Sequence, residues 1–133
     1  MGRGRKNSFT SRYRRPKLSH VAKINSKRKG AAGELELASL FRKLGFEGAR
    51  RTEQYCGKGG TSDVLIPNLP HVHIECKRTK VFKGYEWLEQ AEKDSGGLAV
   101  PLVFWKKDRK DWVVLMDAEK FINLLLIPLA EDS

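Results

Sequence analysis

The sequence predicts a mixed α/β protein with one folded domain, in which helices flank a central mixed β-sheet. Three observations indicate this class. The length of 133 residues suits one domain of ordinary size. Residues 29–133 alternate between helical and strand-like spacing of apolar side chains, in the order helix, three strands, helix, two strands, helix. Residues 1–28 are basic and poor in apolar side chains, which predicts a disordered tail ahead of the domain.

The positive charge is concentrated at the N-terminus. Residues 1–29 hold 11 Lys or Arg and no acidic residue, whereas residues 30–133 hold 15 Lys or Arg and all 16 acidic residues. A basic segment of this kind suits a polyanion, and nucleic acid is the partner we predict, bound through its phosphates. The alternative is a merely solubilising extension.

The predicted helices follow from apolar spacing. The first runs from Lys29 to Gly45, with apolar residues at Leu37, Leu40, Phe41 and Leu44. A polar helix covers about residues 85–94, and Asp117 could cap a last helix that runs to about Ile127. The segment "FINLLLIPL" is apolar on nearly every side, which predicts burial, with a subunit interface as one candidate.

The predicted strands are short and separated by turn residues. "FEGARRTE" precedes a glycine-rich loop, "YCGKGGTS", and "DVLIP" and "HVHIECK" are joined by "NLP" in a hairpin or a short turn. "AVPLVFW" and "DWVVLM" flank the turn "KKDRK". We expect one sheet from these strands.

Charged residues within the strands indicate a site. Alternation places Glu75 and Lys77 on one face of a strand, roughly 6.6 Å apart along it, and hairpin pairing would bring Asp63 towards Glu75. Glu34 lies two helical turns before Phe41 and so faces the apolar stripe. It is either at the edge of the core or at a site between helix and sheet. Carboxylates beside a lysine suit metal-assisted phosphodiester hydrolysis, because hard oxygen ligands hold Mg²⁺ and the lysine can orient water or neutralise phosphate.

Two stretches also resemble a known family. Asp63 followed by "Glu75-Cys76-Lys77" resembles the PD-(D/E)xK nuclease pattern, and "RKGAAGELELASLFRKLGF" is similar to the opening helix of the archaeal-type Holliday junction resolvases. The likeness covers about residues 28–120 and suggests a divergent, viral branch, since the tail and the segment before Asp63 are longer than in archaeal members. It implies a restriction-endonuclease-like fold and a homodimeric, Mg²⁺-dependent enzyme, with Mn²⁺ as a substitute, that nicks four-way DNA junctions in pairs.

The resemblance implies roles for particular residues. Glu34 would be the active-site glutamate of the helix, Asp63 and Glu75 the metal-binding carboxylates, the carbonyl of Cys76 a further metal ligand, and Lys77 the catalytic lysine. Either Arg50 or Arg51 would take the position of a basic residue that contacts phosphate. The full set of predicted DNA-binding residues is Arg28, Lys29, Arg50, Arg51, Lys58, Arg78 and Lys80.

Other patterns leave alternatives open. His71, His73 and Glu75 share a strand face and could bind zinc or manganese, although histidines beside an active site are the more ordinary interpretation. Gln90 either lies near the metal or on a solvated helix face. Trp105 and Trp112 suit core or hairpin packing better than base stacking.

Composition also bears on where the protein acts. The two cysteines, Cys56 and Cys76, are too few for a disulfide framework, and no apolar run is long enough for a signal peptide or a membrane span. We therefore expect an intracellular protein in the cytoplasm or nucleoid, in the host cytoplasm if viral, with no membrane partner.

Three functions fit these observations. The favoured one is a junction resolvase. The second is another nuclease of the same core that cuts linear duplex DNA. The third is a non-catalytic nucleic-acid-binding protein, which would leave Glu34, Asp63, Glu75 and Lys77 unexplained.

Overall fold

A computed structural model describes the backbone of residues 18–52 and 62–132, and the side chains of residues 28–52 and 62–132. The glycine-rich loop and residues 1–17 lie outside these ranges, so the predictions made for them stay predictions. The described helices are α1 Leu18–Lys43, α2 Gly84–Ser95, α3 Ala118–Phe121, a π-helical segment Ile122–Leu126 and α4 Ile127–Glu131. The strands are β1 Arg50–Arg51, β2 Val64–Leu65, β3 Val72–Arg78, β4 Val100–Lys106 and β5 Val113–Leu115.

The strands form two sheets. In the larger sheet β3 pairs with β4 in parallel and β4 pairs with β5 antiparallel, in the order β3-β4-β5. The smaller sheet consists of β1 and β2, paired antiparallel. The predicted mixed α/β class and mixed sheet are confirmed, but the expectation of one continuous sheet is wrong.

Helix α1 covers one face of the larger sheet. Leu37 and Ala38 are fully buried and pack in one apolar cluster with Ile74 of β3. A β-carbon at Gly33 would lie 2.5 Å from Cγ of Arg78 and 3.5 Å from Sγ of Cys76. Glycine therefore lets the helix approach the strand closely at this turn.

Helix α2 covers the opposite face. Trp87 and Ala91 are buried against Val103 of β4, and Trp105 packs beside them. The helix ends at Ser95 because Gly96 adopts a left-handed conformation, with φ of 64°, and its amide donates to the carbonyl of Lys93. The prediction of a helix over about residues 85–94 is confirmed.

The two ends of the described chain differ from the prediction. Helix α1 begins at Leu18, so the predicted start at Lys29 is wrong and the expected tail boundary at residue 28 falls inside a helix. Residues 18–29 contain no Gly or Pro, so a helix anchored by packing can extend towards the N-terminus. At the other end Asp117 caps α3 as predicted, accepting a hydrogen bond from the amide of Lys120.

The apolar C-terminal segment is exposed. The expected burial of "FINLLLIPL" within the chain is wrong, because its large side chains are 38–57% exposed: Phe121, Ile122, Leu124, Leu125, Leu126, Ile127 and Leu129. The helix also continues through Pro128 to Glu131. None of the helices in residues 18–52 and 62–132 combines the length and apolar character needed to cross a membrane.

Candidate active site

The site lies where β2 runs past the free edge of β3. Two side chains take the place of a regular strand ladder there. Ser62 Oγ accepts a hydrogen bond of 2.7 Å from the amide of Ile74, and Asp63 Oδ2 accepts one of 2.8 Å from the amide of Cys76. The amide of Asp63 in turn donates to the carbonyl of Ile74 at 2.6 Å. Asp63 is therefore fixed by the edge of β3 through both its backbone and its carboxylate.

Asp63 and Glu75 form a coupled carboxyl pair. Burial, reinforced by the negative charges of Glu75 and Glu34, raises the pKa of Asp63 to about 7, although the amide of Cys76 opposes the shift. A shift of this direction is what a desolvated carboxyl beside a second carboxylate should show. Asp63 therefore holds the proton of the pair in the metal-free protein below about pH 7.

Glu75 is the ionised member of the pair. Its burial opposes ionisation, but hydrogen bonds with His73 and Asp63 and the positive charge of Lys77 outweigh that effect and lower its pKa. The contact with His73 joins Nε2 and Glu75 Oε1 at 2.9 Å. Glu75 is 8% exposed and His73 is 3% exposed, so this contact is shielded from water.

Glu34 reaches the same region from α1. Its Oε2 accepts a hydrogen bond of 2.7 Å from Nε of Arg51 in β1, and the Glu34 side chain is 17% exposed. Its charge contributes to the raised pKa of both Asp63 and Cys76. The inward orientation expected for Glu34 is thus what the structure shows.

Lys77 lies on the strand beyond Glu75. The two residues have the same orientation in β3, and the charge of Lys77 favours the ionised form of Glu75. Electrostatic interactions thus link Asp63 to both Glu34 and Glu75, and Glu75 to Lys77.

The donor atoms suit a hard divalent cation. Asp63 and Glu75 supply carboxylate oxygens, and a cation between them would offset the burial and the charge repulsion that raise the pKa of Asp63. Burial raises the pKa of the Cys76 thiol to about 12, so the thiol stays neutral. Cys76 could then contribute only its carbonyl oxygen, which is the ligand that the family resemblance implied.

For four of the seven predicted DNA-binding residues the structure describes no ion pair. Three of them have no acidic partner among the described residues, and the fourth lies outside the described ranges. Arg28, Arg50 and Lys80 are exposed. Lys58 lies outside the described ranges, in the glycine-rich loop. Their contacts with DNA stay predictions.

The other three predicted cations are engaged with acidic side chains. Arg51 binds Glu34, as described above. Nη2 of Arg78 lies 2.6 Å from Asp108 and its Nη1 contacts Glu36, whose other oxygen contacts Lys106. Nζ of Lys29 lies 3.7 Å from Asp108. Arg78 is thus part of an ion-pair network that joins α1, β3 and β4.

The sequence interpretation missed two contributors. Ser62 was not singled out, since a serine beside a strand gives no signal of replacing a ladder bond. Asp94, in the last turn of α2, lies near His73 and Glu75. Only the tertiary packing of α2 on β3 brings it there, so spacing along the chain could not reveal it.

The open alternatives are also clarified by the fold. His71 is exposed whereas His73 is buried, so the two histidines do not act as an equivalent pair. Gln90 is exposed, and its Nε2 donates to Asp94 Oδ1 at 2.9 Å. Trp105 and Trp112 pack against the two apolar clusters, which supports the packing interpretation over base stacking.

The fold and the arrangement of carboxylates and lysine define a nuclease of the PD-(D/E)xK class. The chain belongs to the family described as "Phage putative PDDEXK endonuclease", whose family model matches residues 25–127. Among solved structures it is similar to Hjc, a Holliday junction resolvase from Archaeoglobus fulgidus, with a TM-score of 0.51 and 24% sequence identity over 65% of this chain and 76% of that one. Comparison with curated proteins gives no match. The likeness to Hjc shows a shared restriction-endonuclease-like fold, and the family identifies the class of enzyme.

Proposed function

We propose that the protein is a structure-selective endodeoxyribonuclease that resolves four-way DNA junctions by paired, Mg²⁺-dependent hydrolysis of phosphodiester bonds. The observation that carries the proposal is the grouping of Asp63, Glu75 and Lys77 at the free edge of β3, in a chain of the PDDEXK endonuclease family. The shared fold with a junction resolvase supports the choice of substrate.

Asp63, Glu75 and the carbonyl of Cys76 would hold the Mg²⁺, and Mn²⁺ would substitute. When bound, the ion supplies Lewis acidity and a water molecule of lowered pKa. The protein keeps its donors in place: the amide of Cys76 orients Asp63, and His73 orients Glu75. Rigidly placed ligands of this kind reduce the reorganisation needed during the reaction.

Lys77 and Glu34 would act on the substrate side of the site. The ammonium group of Lys77 would neutralise the attacked phosphate or orient the attacking water. Glu34 would accept a hydrogen bond from that water, and Arg51 holds the Glu34 carboxylate at 2.7 Å for this role. Arg51 would also contact phosphate.

Phosphate contacts away from the site would come from exposed cations. Arg28, Arg50 and Lys80 are suited to this by their exposure, and Lys58 by its place in the loop before Asp63. Lys29 and Arg78 would contact phosphate only by exchanging their present acidic partners. A surface that binds mainly phosphates would recognise the shape of the DNA and would need few contacts with its bases.

We infer that the active form is a homodimer, because a four-way junction has approximate two-fold symmetry and needs two cuts. The exposed apolar helix of residues 121–129 is our candidate for the subunit interface. A run of seven exposed large apolar side chains within nine residues is typical of a protein contact. The enzyme would work in the cytoplasm or nucleoid, and in the host cytoplasm if the chain is viral.

The test is cleavage of a labelled four-way junction and of a linear duplex of the same sequence, in Mg²⁺ and in EDTA. Wild type should nick the junction symmetrically in Mg²⁺ alone. Lys77→Ala should lose at least about a hundredfold in rate and keep its affinity for the junction, because one preorganised charge is removed from the transition state.

Lys93→Ala is the matched control, since Lys93 is an exposed lysine on α2. Equal cleavage of both substrates would show that the protein is a general duplex nuclease and not a junction resolvase. Tight binding without cleavage of either substrate would reject catalysis and leave a nucleic-acid-binding protein.

A further inference from the structure

A second cluster of potential metal ligands lies on the face of β3 that α2 covers. His73, Glu75 and Asp94 each direct one ligand atom to a common region, and these atoms all lie within 4.8 Å of one another. Two of the three come from alternate positions of one strand and the third from the last turn of the facing helix. The cluster thus depends on the packing of α2 against the sheet.

The imidazole of His73 is buried, and its Nε2 faces Glu75. Its contact with Glu75, at 2.9 Å from Nε2, is the single hydrogen bond that it makes with the described part of the chain. The residue is 3% exposed, and buried polar atoms normally have partners. Release of the Nε2 proton on metal binding would make this nitrogen a typical metal ligand.

Asp94 is held in position by its own helix. Gln90, one turn earlier, donates from Nε2 to Asp94 Oδ1 at 2.9 Å. Such a hydrogen bond leaves the second carboxylate oxygen available and fixes the orientation of the first. Outer hydrogen bonds of this kind are a regular feature of metal ligands.

The distances suit a transition-metal ion. With metal–ligand bonds of about 2.1 Å, adjacent ligands of an octahedral ion lie about 3.0 Å apart. The 2.9 Å between His73 Nε2 and Glu75 Oε1 is close to this spacing. Opposite ligands of an octahedral ion would lie about 4.2 Å apart, so the widest pair in the cluster, at most 4.8 Å apart, would need to approach by less than about 1 Å. Around a tetrahedral Zn²⁺, by contrast, every pair would close to about 3.4 Å.

We propose that His73, Glu75 and Asp94 form a second metal site, for a divalent transition-metal ion such as Zn²⁺ or Mn²⁺. One imidazole with two carboxylates favours these ions over Mg²⁺, which seldom takes nitrogen ligands. The site shares Glu75 with the proposed catalytic Mg²⁺ site, but its existence does not depend on the nuclease activity. An ion there would replace the His73–Glu75 hydrogen bond and fix the Glu75 carboxylate.

The test is isothermal titration calorimetry of the full-length, DNA-free protein with Zn²⁺. Asp94→Asn should weaken Zn²⁺ binding by about tenfold or more, because it removes a charged ligand without changing the size of the side chain. Glu92→Gln, an exposed acidic position on the same helix, is the matched control and should bind as wild type does. Asp63→Asn should keep the Zn²⁺ site, since Asp63 is not one of its ligands.

Unchanged Zn²⁺ affinity in Asp94→Asn would overturn the proposal. Loss of binding in Asp63→Asn with retention in Asp94→Asn would place the ion in the catalytic site and would also overturn it. His73→Gln, checked for folding by circular dichroism, should reproduce the loss seen in Asp94→Asn. Because the titration contains no DNA, a failure of junction cleavage would not affect its outcome.

Discussion

At the residue scale, Asp63 combines two demands that oppose each other. It must be buried enough to fix its geometry at the edge of β3, and it must ionise to bind a cation. Burial and the neighbouring Glu75 raise its pKa to about 7, so the ionised form is disfavoured in the metal-free protein. A bound cation would stabilise the ionised form, which makes metal affinity depend on pH across neutrality.

The raised pKa predicts that stability falls with pH in the metal-free protein. A carboxyl whose pKa is raised on folding contributes stability that is present below the unfolded pKa near 3.8 and is lost as pH rises through about 7. Asp63→Asn cannot ionise, so at pH 8 it should be more stable than wild type by on the order of 2 kcal/mol, with a smaller difference at pH 5.

Urea denaturation in EDTA at several pH values measures this difference. Asp111→Asn, at an exposed aspartate, should show no such trend. If the stability difference between Asp63→Asn and wild type stayed constant from pH 5 to 8, the ionisation of Asp63 would not be its cause.

Residue patterns predicted one part of the site and not another. Glu75 and Lys77 share a face because strand alternation is a local rule, and Asp63 was brought close by chain connectivity. The contact of Glu34 with Arg51 could not be predicted, because it depends on how α1 packs against β1. Asp94 was missed for the same reason, since α2 and β3 are neighbours only in the fold.

At the scale of elements, the edge of β3 is completed by side chains. Ser62 Oγ accepts from the amide of Ile74 and lies within hydrogen-bond distance of the carbonyl of Val64. Of the hairpin and the short turn that the sequence left open, the structure shows the turn, because β2 and β3 form no ladder. The consequence is that a serine and an aspartate hold together elements that backbone pairing usually joins.

Ser62→Ala should destabilise the fold by about 1–2 kcal/mol. The change leaves the amide of Ile74 without its acceptor in a partly buried position, and such a loss costs about this much. Chemical denaturation measures it, with Ser39→Ala at an exposed position of α1 as the control. Equal stability of Ser62→Ala and wild type would show that water satisfies Ile74 as well as the serine does.

The order of helices and strands was predictable, but their limits were not. Leu37 and Phe41 show the spacing that places α1 on the sheet, and Gly96 ends α2 as its φ value permits. The start of α1 at Leu18 was missed, because residues 18–28 have few apolar side chains and their helix depends on the packed part of α1. The exposure of residues 121–129 was missed because an all-apolar pattern predicts burial without showing whether the segment packs against its own chain or against another one.

At the scale of the whole molecule, the exposed apolar helix predicts a subunit contact. Leu124→Glu should convert the proposed dimer to a monomer at micromolar concentration, because a charge would be buried in an apolar interface. Leu98→Glu is the matched control, since Leu98 is 91% exposed in a loop. Sedimentation velocity measures both, and a dimer that persists in Leu124→Glu would remove this surface as the interface.

The basic tail predicts the salt dependence of DNA binding. Residues 1–17 contain seven Lys or Arg, so their deletion should reduce the slope of log affinity against log salt by as much as about 6. Fluorescence anisotropy with a labelled junction at several salt concentrations measures the slope. An unchanged slope would show that these cations do not contact phosphate.

The length of α1 determines where such a tail can act. The helix has 26 residues, and at about 1.5 Å per residue it spans roughly 39 Å. Leu18 therefore lies about 24 Å along the axis from Glu34, a distance equal to roughly seven base pairs of duplex at about 3.4 Å each. A tail attached at that point would extend the length of DNA arm that each subunit covers, beyond the bond that it cuts.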